Sequence, residues 1–313
     1  MENHGGRRKG AGRKKSSPAE HKVKVHLNLD PAVTKWIQTN AQSSNSQFVN
    51  DKLKLIMKSE HTSRTIAIVN QAGGVAKTTT TMNIGYHLAQ SGHRVLLVDL
   101  DPQASLSDFM GLEPYDLTRT VADSLLDENV ELAIHPNLHG MDLAPCNLDL
   151  SAAEFQLSTA MAREMRLKYV LDQHLSNYDF ILIDCPPNLG VLSLIALSAA
   201  THVLVPIQTQ YKSYRAISYL LETIGKVKNY INPGLKIAGF IPTLHAKTTQ
   251  NLLILEGLKE QLAEIAPLLP AIPRATAFAD ASMSHKPLAV FARSHPAVPV
   301  LESIAQFLEK LDR

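Results

Sequence analysis

The chain has 313 residues, 45% of them hydrophobic, which is enough for one large domain with a real core and one small domain. No apolar run reaches the ~18 residues of a membrane-spanning helix, and the first ten residues lack the pattern of a signal peptide. The two cysteines, Cys146 and Cys185, exclude a disulfide scaffold and predict a reducing, cytoplasmic location. Residues 1–60 carry 12 Lys/Arg and 5 Asp/Glu, whereas the remainder carries 19 and 24. This asymmetry indicates a polyanionic partner, with a tail that merely aids solubility as the alternative.

The N-terminal 60 residues divide into a basic tail and a small patterned module. We expect residues 1–21, rich in Gly, Ser and basic side chains, to be disordered. Residues 22–29 alternate between apolar and polar side chains, as in a half-buried strand; the polar face consists of Lys22, Lys24, His26 and Asn28. Asp30 and Pro31 predict the start of a helix, and a second helix is predicted to begin near Ser46.

A strand followed by two short helices resembles a ribbon–helix–helix DNA-binding module, and we assign it to residues 22–60. Such modules pair their strands across a dimer and insert the ribbon into the major groove. The resemblance makes the four polar residues of the strand candidate DNA contacts. So small a unit cannot bury a core alone, so we expect it to dimerise. A dimerisation arm that never touches bases is the alternative.

The segment Asn70–Thr80 has the pattern of a phosphate-binding loop. It follows an apolar β-type run and opens an amphipathic helix, so its backbone N–H groups and the helix N-terminus face a phosphate chain. Lys77 would neutralise phosphate charge and the Thr78 hydroxyl would ligate Mg²⁺. The loop departs from G-x-x-x-x-G-K-[ST] at Ala76. It fits K-G-G-x-x-K-[ST] except at its first position, which is Ala72.

Two later apolar runs end in aspartates. Residues 94–99 deliver Asp99 and Asp101 to the carboxyl edge of the predicted sheet, where ligands of open α/β sheets bind. Residues 178–184 end in Asp184 and have the Walker-B form, in which the carboxylate holds Mg²⁺ through water.

Strands and helices alternate through the rest of the chain. We predict strands near 65–70, 94–99, 141–144, 179–184, 202–207 and 236–242, and helices near 120–127, 162–174, 211–229, 249–265 and 297–311. This order predicts an α/β fold with a doubly wound, mainly parallel sheet over residues 64–313. The polar face of the last helix is acidic, so we expect it to pack on the sheet rather than bind a membrane.

These motifs together resemble the ParA family of deviant-Walker ATPases, which is related to MinD and the nitrogenase iron protein. The resemblance implies ATP and Mg²⁺ as cofactors, with Asp101 orienting the attacking water and Lys77 assisting catalysis. The implied nucleotide-binding residues are Gly73, Gly74, Val75, Ala76, Lys77, Thr78, Thr79, Pro273 and Arg274. The implied metal-site residues are Thr78, Asp99 and Asp184. Cys185, beside Asp184, is interpreted as a packing residue rather than a nucleophile.

The chain departs from the family pattern at two places. The signature lysine, which reaches the partner subunit's phosphates in an ATP sandwich dimer, is absent at Ala72, either naturally or by engineering. Carboxysome-positioning relatives also lack it, and Lys212 occupies the place expected for a substitute; an ordinary exposed lysine is the alternative. Among the family's DNA-binding arginine positions, Lys247 matches one, whereas another falls on Ala277.

The resemblance implies an ATP-dependent partition or positioning ATPase that acts in the cytoplasm on the nucleoid. ATP would close a homodimer, the dimer would bind DNA, and a small ParB-like or other cargo adaptor would stimulate hydrolysis; no membrane partner is expected. One alternative is a DNA-binding transcriptional regulator whose dimerisation is tuned by ATP. Another is a metabolic P-loop ligase, which would need a pocket for a small substrate.

Overall fold

The structure, a computed structural model, describes residues 29–41, 44–49, 63–127 and 129–312, with 211–216 described by their backbone. The chain divides into two compact units, Met1–Ile56 and Met57–Arg313. The basic tail and the four predicted DNA contacts Lys22, Lys24, His26 and Asn28 lie outside the described residues. The ribbon–helix–helix module therefore stays a prediction.

The first unit contains the helix predicted after Asp30. This helix, α1, spans Pro31–Asn40, and the Asp30 carboxylate accepts a hydrogen bond from the Ala32 N–H at 2.7 Å. The cap and the proline in the first turn satisfy the requirements of a helix N-terminus. Residues 45–49 form a further helical segment. The Trp36 and Phe48 rings, whose centroids are 5.6 Å apart, join the two segments.

The second unit is built on a seven-stranded sheet with the order β3-β4-β2-β5-β1-β6-β7. The strands are Arg64–Ile68 (β1), Val95–Asp99 (β2), His135–Leu138 (β3), Met141–Ala144 (β4), Phe180–Asp184 (β5), His202–Gln208 (β6) and Lys236–Thr243 (β7). All neighbouring pairs are parallel except the β3–β4 hairpin. The predicted doubly wound, mainly parallel sheet is confirmed, and only the edge strand β3 was not predicted.

Helices cover both faces of this sheet. One face packs against Val121–Leu126 (α4), Asp149–Leu157 (α5), Arg166–Asp172 (α6), Val191–Ala199 (α7), Tyr211–Tyr230 (α8) and Thr249–Leu262 (α9). The other packs against Lys77–Gln90 (α2), Ser105–Phe109 (α3), Ala277–Met283 (α10), Leu288–Phe291 (α11) and Val298–Glu309 (α12). Side chains alternate between the two cores, as the period of a strand requires: Ile66 and Ile68 belong to the α2 side and Ala67 to the other.

The last helix behaves as predicted. α12 buries Leu301, Ile304 and Leu308 in the same core as the phosphate-loop helix α2. With this apolar face inside the fold, Glu302 of α12 is exposed, whereas Glu309 is half-buried beside His93. Among the described helices, none is long and apolar enough to cross a membrane.

Candidate nucleotide-binding site

The candidate site lies where the chain reverses its direction of winding across the sheet. From β1 the chain runs to β2 on one side, whereas from β5 it runs to β6 on the other. The carboxyl ends of β1 and β5 are adjacent, and crevices at such switch points hold the ligands of open α/β sheets. β1 leads into the predicted phosphate-binding loop and β5 ends at Asp184. Asp99 ends β2 and pairs in register with Asp184.

Three polar side chains from strand ends hold the backbone of the loop. They are Asn70, which accepts from the Ala72 N–H (2.9 Å), Gln208, which donates to the Gly74 carbonyl (2.7 Å), and Thr243, which donates to the Val75 carbonyl (3.0 Å). The sequence analysis did not single out these contacts. A signal did exist, because Gln208 and Thr243 are polar residues that end otherwise apolar strands.

Ala76 takes the backbone conformation that glycine normally provides at this point of a phosphate loop. Its φ of 65° and ψ of 33° are left-handed, and it caps the N-terminus of α2. For a residue with a Cβ this conformation costs roughly 1–2 kcal/mol. The three strand-end contacts hold the loop in this conformation, which leaves the first N–H groups of α2 unbonded by a side-chain cap.

Lys77 and Thr78 form the floor of the loop. The Lys77 ammonium is buried and donates to the Ala72 carbonyl at 3.1 Å. Burial lowers the pKa of Lys77, an effect that the nearby Asp184 carboxylate opposes. The Thr78 hydroxyl donates to Asp184 Oδ2 at 2.6 Å. Lys77, Thr78 and Asp184, predicted from three separate features, therefore meet at one point.

These groups fit a magnesium ion. Asp184 is fully buried, and burial together with the Asp99 charge raises its pKa well above the ordinary range. An ionised carboxylate there lacks sufficient positive charge around it, which a divalent cation would supply. Hydroxyl and carboxylate oxygens are the ligands that Mg²⁺ takes, usually one or two from protein with the rest from phosphates and water.

Asp99 and Asp101 occupy different environments although they are two residues apart. Asp101 is half-buried and lines the cavity beside the loop, with Oδ1 accepting the Gln103 N–H at 3.0 Å. Asp99 is fully buried, and Ser107 donates to its Oδ2 through both N–H and hydroxyl at 2.8 Å. Burial raises the pKa of Asp99 to about 6. The structure thus brings Asp101 to the cavity and Asp99 beneath it.

The cavity over the loop has a volume of about 770 Å³, a size that suits a nucleotide. Its described lining includes the predicted residues Gly73, Gly74, Val75, Ala76, Lys77, Thr78, Thr79 and Asp101. Pro273 lines a smaller adjoining cavity of about 60 Å³ with Ala76 and Thr79. Arg274 is exposed and does not line either cavity.

The two lysines assigned by resemblance lie on the same edge of the sheet. Lys212 is the second residue of α8, directly after β6, and its side chain is outside the described part. Lys247 is exposed between β7 and α9. Cys185 is buried, and burial raises the pKa of its thiol, as befits a packing residue.

Comparisons with known proteins agree with this geometry. A family model described as an AAA domain matches residues 63–237. The sporulation initiation inhibitor protein Soj of Bacillus subtilis is 37% identical over 229 residues, covering 72% of this chain and 90% of Soj. The chromosome partitioning protein ParA of Caulobacter vibrioides is 38% identical over 205 residues, covering 64% of this chain and 74% of that protein.

A solved structure of another protein has the same fold. The cobyrinic acid a,c-diamide synthase of Mycobacterium smegmatis, with bound ADP and magnesium, is 37% identical with a TM-score of 0.70. The similarity covers 79% of this chain and 94% of that one. From its phosphate loop, its sheet order and these relatives, the chain belongs to the ParA/MinD-type P-loop ATPase family.

Proposed function

We propose that this chain is a partition or positioning ATPase that hydrolyses ATP to ADP and phosphate, slowly and under the control of a partner. The observation that carries the proposal is that Lys77, Thr78 and Asp101 line one cavity of about 770 Å³, with the buried Asp184 bonded to the Thr78 hydroxyl directly beneath it. The N-terminal segment is basic whereas the rest of the chain is acidic, and this asymmetry favours a polyanion as a partner.

Each part of the site has a distinct task in this proposal. ATP and Mg²⁺ are the cofactors; backbone N–H groups from Gly73 to Thr79 receive the phosphates. Lys77 neutralises their charge, and Thr78 and Asp184 hold the metal ion, which supplies further neutralisation of phosphate oxygens. Asp101 orients the attacking water. Asp99 serves the metal surroundings indirectly, because its oxygens already accept hydrogen bonds from Ser107.

The remaining assignments concern recognition of the base, the partner subunit and DNA. Pro273 and Arg274 flank the adenine: Pro273 lines the small cavity together with Ala76, and Arg274 is exposed beside it in the chain. Lys212 compensates across a homodimer for the lysine missing at Ala72.

DNA and an adaptor are the proposed macromolecular partners. Residues 22–60 act as a DNA-binding and dimerisation module through Lys22, Lys24, His26 and Asn28, and Lys247 supplies a contact from the ATPase unit. A small ParB-like or other cargo adaptor stimulates hydrolysis. The protein is then nucleoid-associated in the cytoplasm.

A P-loop ligase is the second candidate, because the Mycobacterium smegmatis relative is named as a diamide synthase. Its ATP consumption would depend on a carboxylic acid substrate and an amide-nitrogen donor. A partition ATPase needs neither. Measuring ADP release from the purified chain with DNA and without any small acid separates the two functions.

The decisive experiment compares Asp101→Ala with Lys77→Ala. Asp101→Ala should bind ATP almost normally and lose turnover, because the phosphate cradle survives while the water loses its orientation. Lys77→Ala should lose ATP binding itself. We would measure binding with a fluorescent ATP analogue, hydrolysis by phosphate release and dimerisation by light scattering. Normal ATPase activity in Asp101→Ala would refute the assignment of Asp101.

A further inference from the structure

A buried polar network lies beneath Asp101, outside the phosphate cradle. Its members Ser107 and Cys146 are fully buried and do not line the nucleotide cavity. A buried polar group destabilises a fold unless it is hydrogen-bonded. The hydrogen bonds of Ser107 and Cys146 go to Asp99, to Asp101 and to each other. The arrangement of these bonds indicates what the two residues do.

The turn that carries Asp101 is strained and needs support. The Asp101 N–H donates to Asp99 Oδ1 at 3.2 Å, and the Asp101 carbonyl accepts from the Ala104 N–H at 2.8 Å. Ala104 has a φ of 54°, a left-handed conformation that costs a residue with a Cβ roughly 1–2 kcal/mol. Such a conformation persists where surrounding contacts determine it.

Ser107 fixes the far end of this turn to the sheet. Its N–H and its hydroxyl both donate to Asp99 Oδ2, each at 2.8 Å. Because Asp99 ends β2, the two bonds set the start of α3 relative to the strand. These two bonds join the ends of the segment 99–107, and Asp101 lies within this segment.

Cys146 reaches the same turn from a different strand. It follows β4, and its N–H donates to Ser107 Oγ at 3.1 Å. Its thiol donates to the Asp101 carbonyl, with 2.9 Å between sulfur and oxygen. Burial raises the pKa of Cys146, so the thiol keeps the proton that it donates. Cys146 therefore contacts the Asp101 carbonyl through its thiol and, through its backbone N–H, the residue that anchors the turn.

We propose that Cys146 and Ser107 are positioning residues that hold the Asp101 carboxylate in its hydrolytic orientation. The inference rests on the proposed function, in which Asp101 orients the attacking water. Loss of either hydrogen bond lets the strained turn relax and displaces the carboxylate, and a displacement of about 1 Å costs up to roughly 100-fold in rate. ATP affinity depends on the loop from Gly73 to Thr79, which neither residue touches, so it stays unchanged.

The test separates hydrolysis from binding in the full-length chain. At saturating Mg·ATP, Cys146→Ala should slow single-turnover hydrolysis by about tenfold or more, with ATP affinity within about twofold of the parent. Cys146→Ser keeps a donor at this position and should recover most of the rate. Ser107→Ala should resemble Cys146→Ala. Ser198→Ala is the matched control, because Ser198 is a buried serine whose hydroxyl bonds the Leu194 carbonyl within α7.

The possible outcomes distinguish the inference from the function on which it rests. If Cys146→Ala and Ser107→Ala both hydrolyse ATP as fast as Ser198→Ala, the positioning role is wrong; a Cys146→Ser variant as slow as Cys146→Ala also overturns it. Should Cys146→Ala not fold, the comparison of Ser107→Ala with Ser198→Ala decides. Full activity in Asp101→Ala would instead refute the proposed role of Asp101 itself.

Discussion

At the scale of single residues, the site concentrates negative charge that the fold alone does not neutralise. Asp99 and Asp184 end neighbouring strands in register and are both fully buried. The Lys77 ammonium partly offsets the charge of Asp184, but burial lowers the pKa of Lys77 as well. Buried ionisable groups of this kind destabilise a fold and cluster at functional sites. The two carboxylates therefore lower the stability of the free protein and favour the binding of a cation.

The first prediction follows from the pKa of Asp99, which burial raises to about 6. In the unfolded chain an aspartate titrates near ~3.9, so the folded state holds this proton more tightly. The free energy of unfolding should therefore fall as pH rises from about 4 to about 6, by about 3 kcal/mol from this group. Urea unfolding of the parent and of Asp99→Asn across this range measures it. Parallel pH profiles of the two proteins would contradict the prediction.

The second prediction concerns Lys212. An ATP sandwich concentrates phosphate charge at the dimer interface, where Ala72 offers only a methyl group. A cation across the interface is worth on the order of 2–5 kcal/mol, so Lys212→Ala should block ATP-dependent dimerisation measured by light scattering. Lys228→Ala is the control, an exposed lysine further along the same helix. Unchanged dimerisation in Lys212→Ala would favour a vestigial or engineered loop, and so would a parent chain that fails to dimerise and is rescued by Ala72→Lys alone.

At the scale of elements, the phosphate-loop helix α2 is held close to the sheet by a residue that lacks a side chain. A Cβ on Gly85 would lie 2.8 Å from Leu97 Cδ2 and 2.9 Å from Met141 Sδ, and both of these side chains are fully buried. On its other side α2 packs in one core with α12. The position of Lys77 at the start of α2 thus depends on packing two turns away.

The third prediction tests this close approach. Gly85→Ala should destabilise the fold by about 1–2 kcal/mol, because overpacking costs more than the gain in helix propensity. It should also weaken ATP binding by displacing the start of α2. Gly225→Ala is the matched control in α8, where an added Cβ would meet no atom within 4 Å, and it should stabilise by roughly 0.5–1 kcal/mol. Thermal unfolding and ATP titration measure both effects; equal stabilities of the two variants would count against this interpretation.

Strands and helices could be predicted from the sequence where a local residue pattern defines them. They could not be predicted where they form only because of tertiary contacts. The strands ending at Asp99 and Asp184 are continuous apolar runs, which is typical of strands buried on both faces. The edge strand β3 contains both Pro136 and the left-handed Asn137, so it has no alternating pattern. The helix α7 is apolar on nearly every side and therefore shows no helical period.

The residues of the candidate site also fall into two groups, those that a local pattern predicts and those that only tertiary contacts bring together. The phosphate loop and its aspartates carry a local signature, so Lys77, Thr78 and Asp184 were predicted and the structure brings them together. The contact between Cys146 and Asp101 joins residues 45 apart in the chain. Nothing near Cys146 in the sequence indicates this contact, because it arises only when β4 is placed beside β2.

At the scale of the whole molecule, the N-terminal part of the chain and the ATPase part carry net charges of opposite sign. The first 60 residues are strongly basic and the remainder is acidic, which is unfavourable for a polyanion that contacts only the ATPase unit. Lys247, between β7 and α9, is an exposed cation on the edge of the sheet that carries the site. DNA binding is therefore expected to depend chiefly on the N-terminal segment.

The last prediction separates the two ways in which this segment engages DNA. Removal of residues 1–21 deletes six Lys/Arg, so it should weaken binding to every sequence and flatten the salt dependence, since each phosphate contact adds roughly 0.9 to the slope. Changing Lys24 and Asn28 to Ala should instead reduce preference for a specific site, by about 1–3 kcal/mol per lost base contact. Competition between specific and random DNA over a salt series measures both, with Lys259→Ala, an exposed lysine of α9 that has no assigned DNA contact, as a charge control on the ATPase unit. If the shortened chain kept its full affinity and salt slope, the tail would not contact DNA, and an unchanged site preference in the double variant would reduce residues 22–60 to a dimerisation arm.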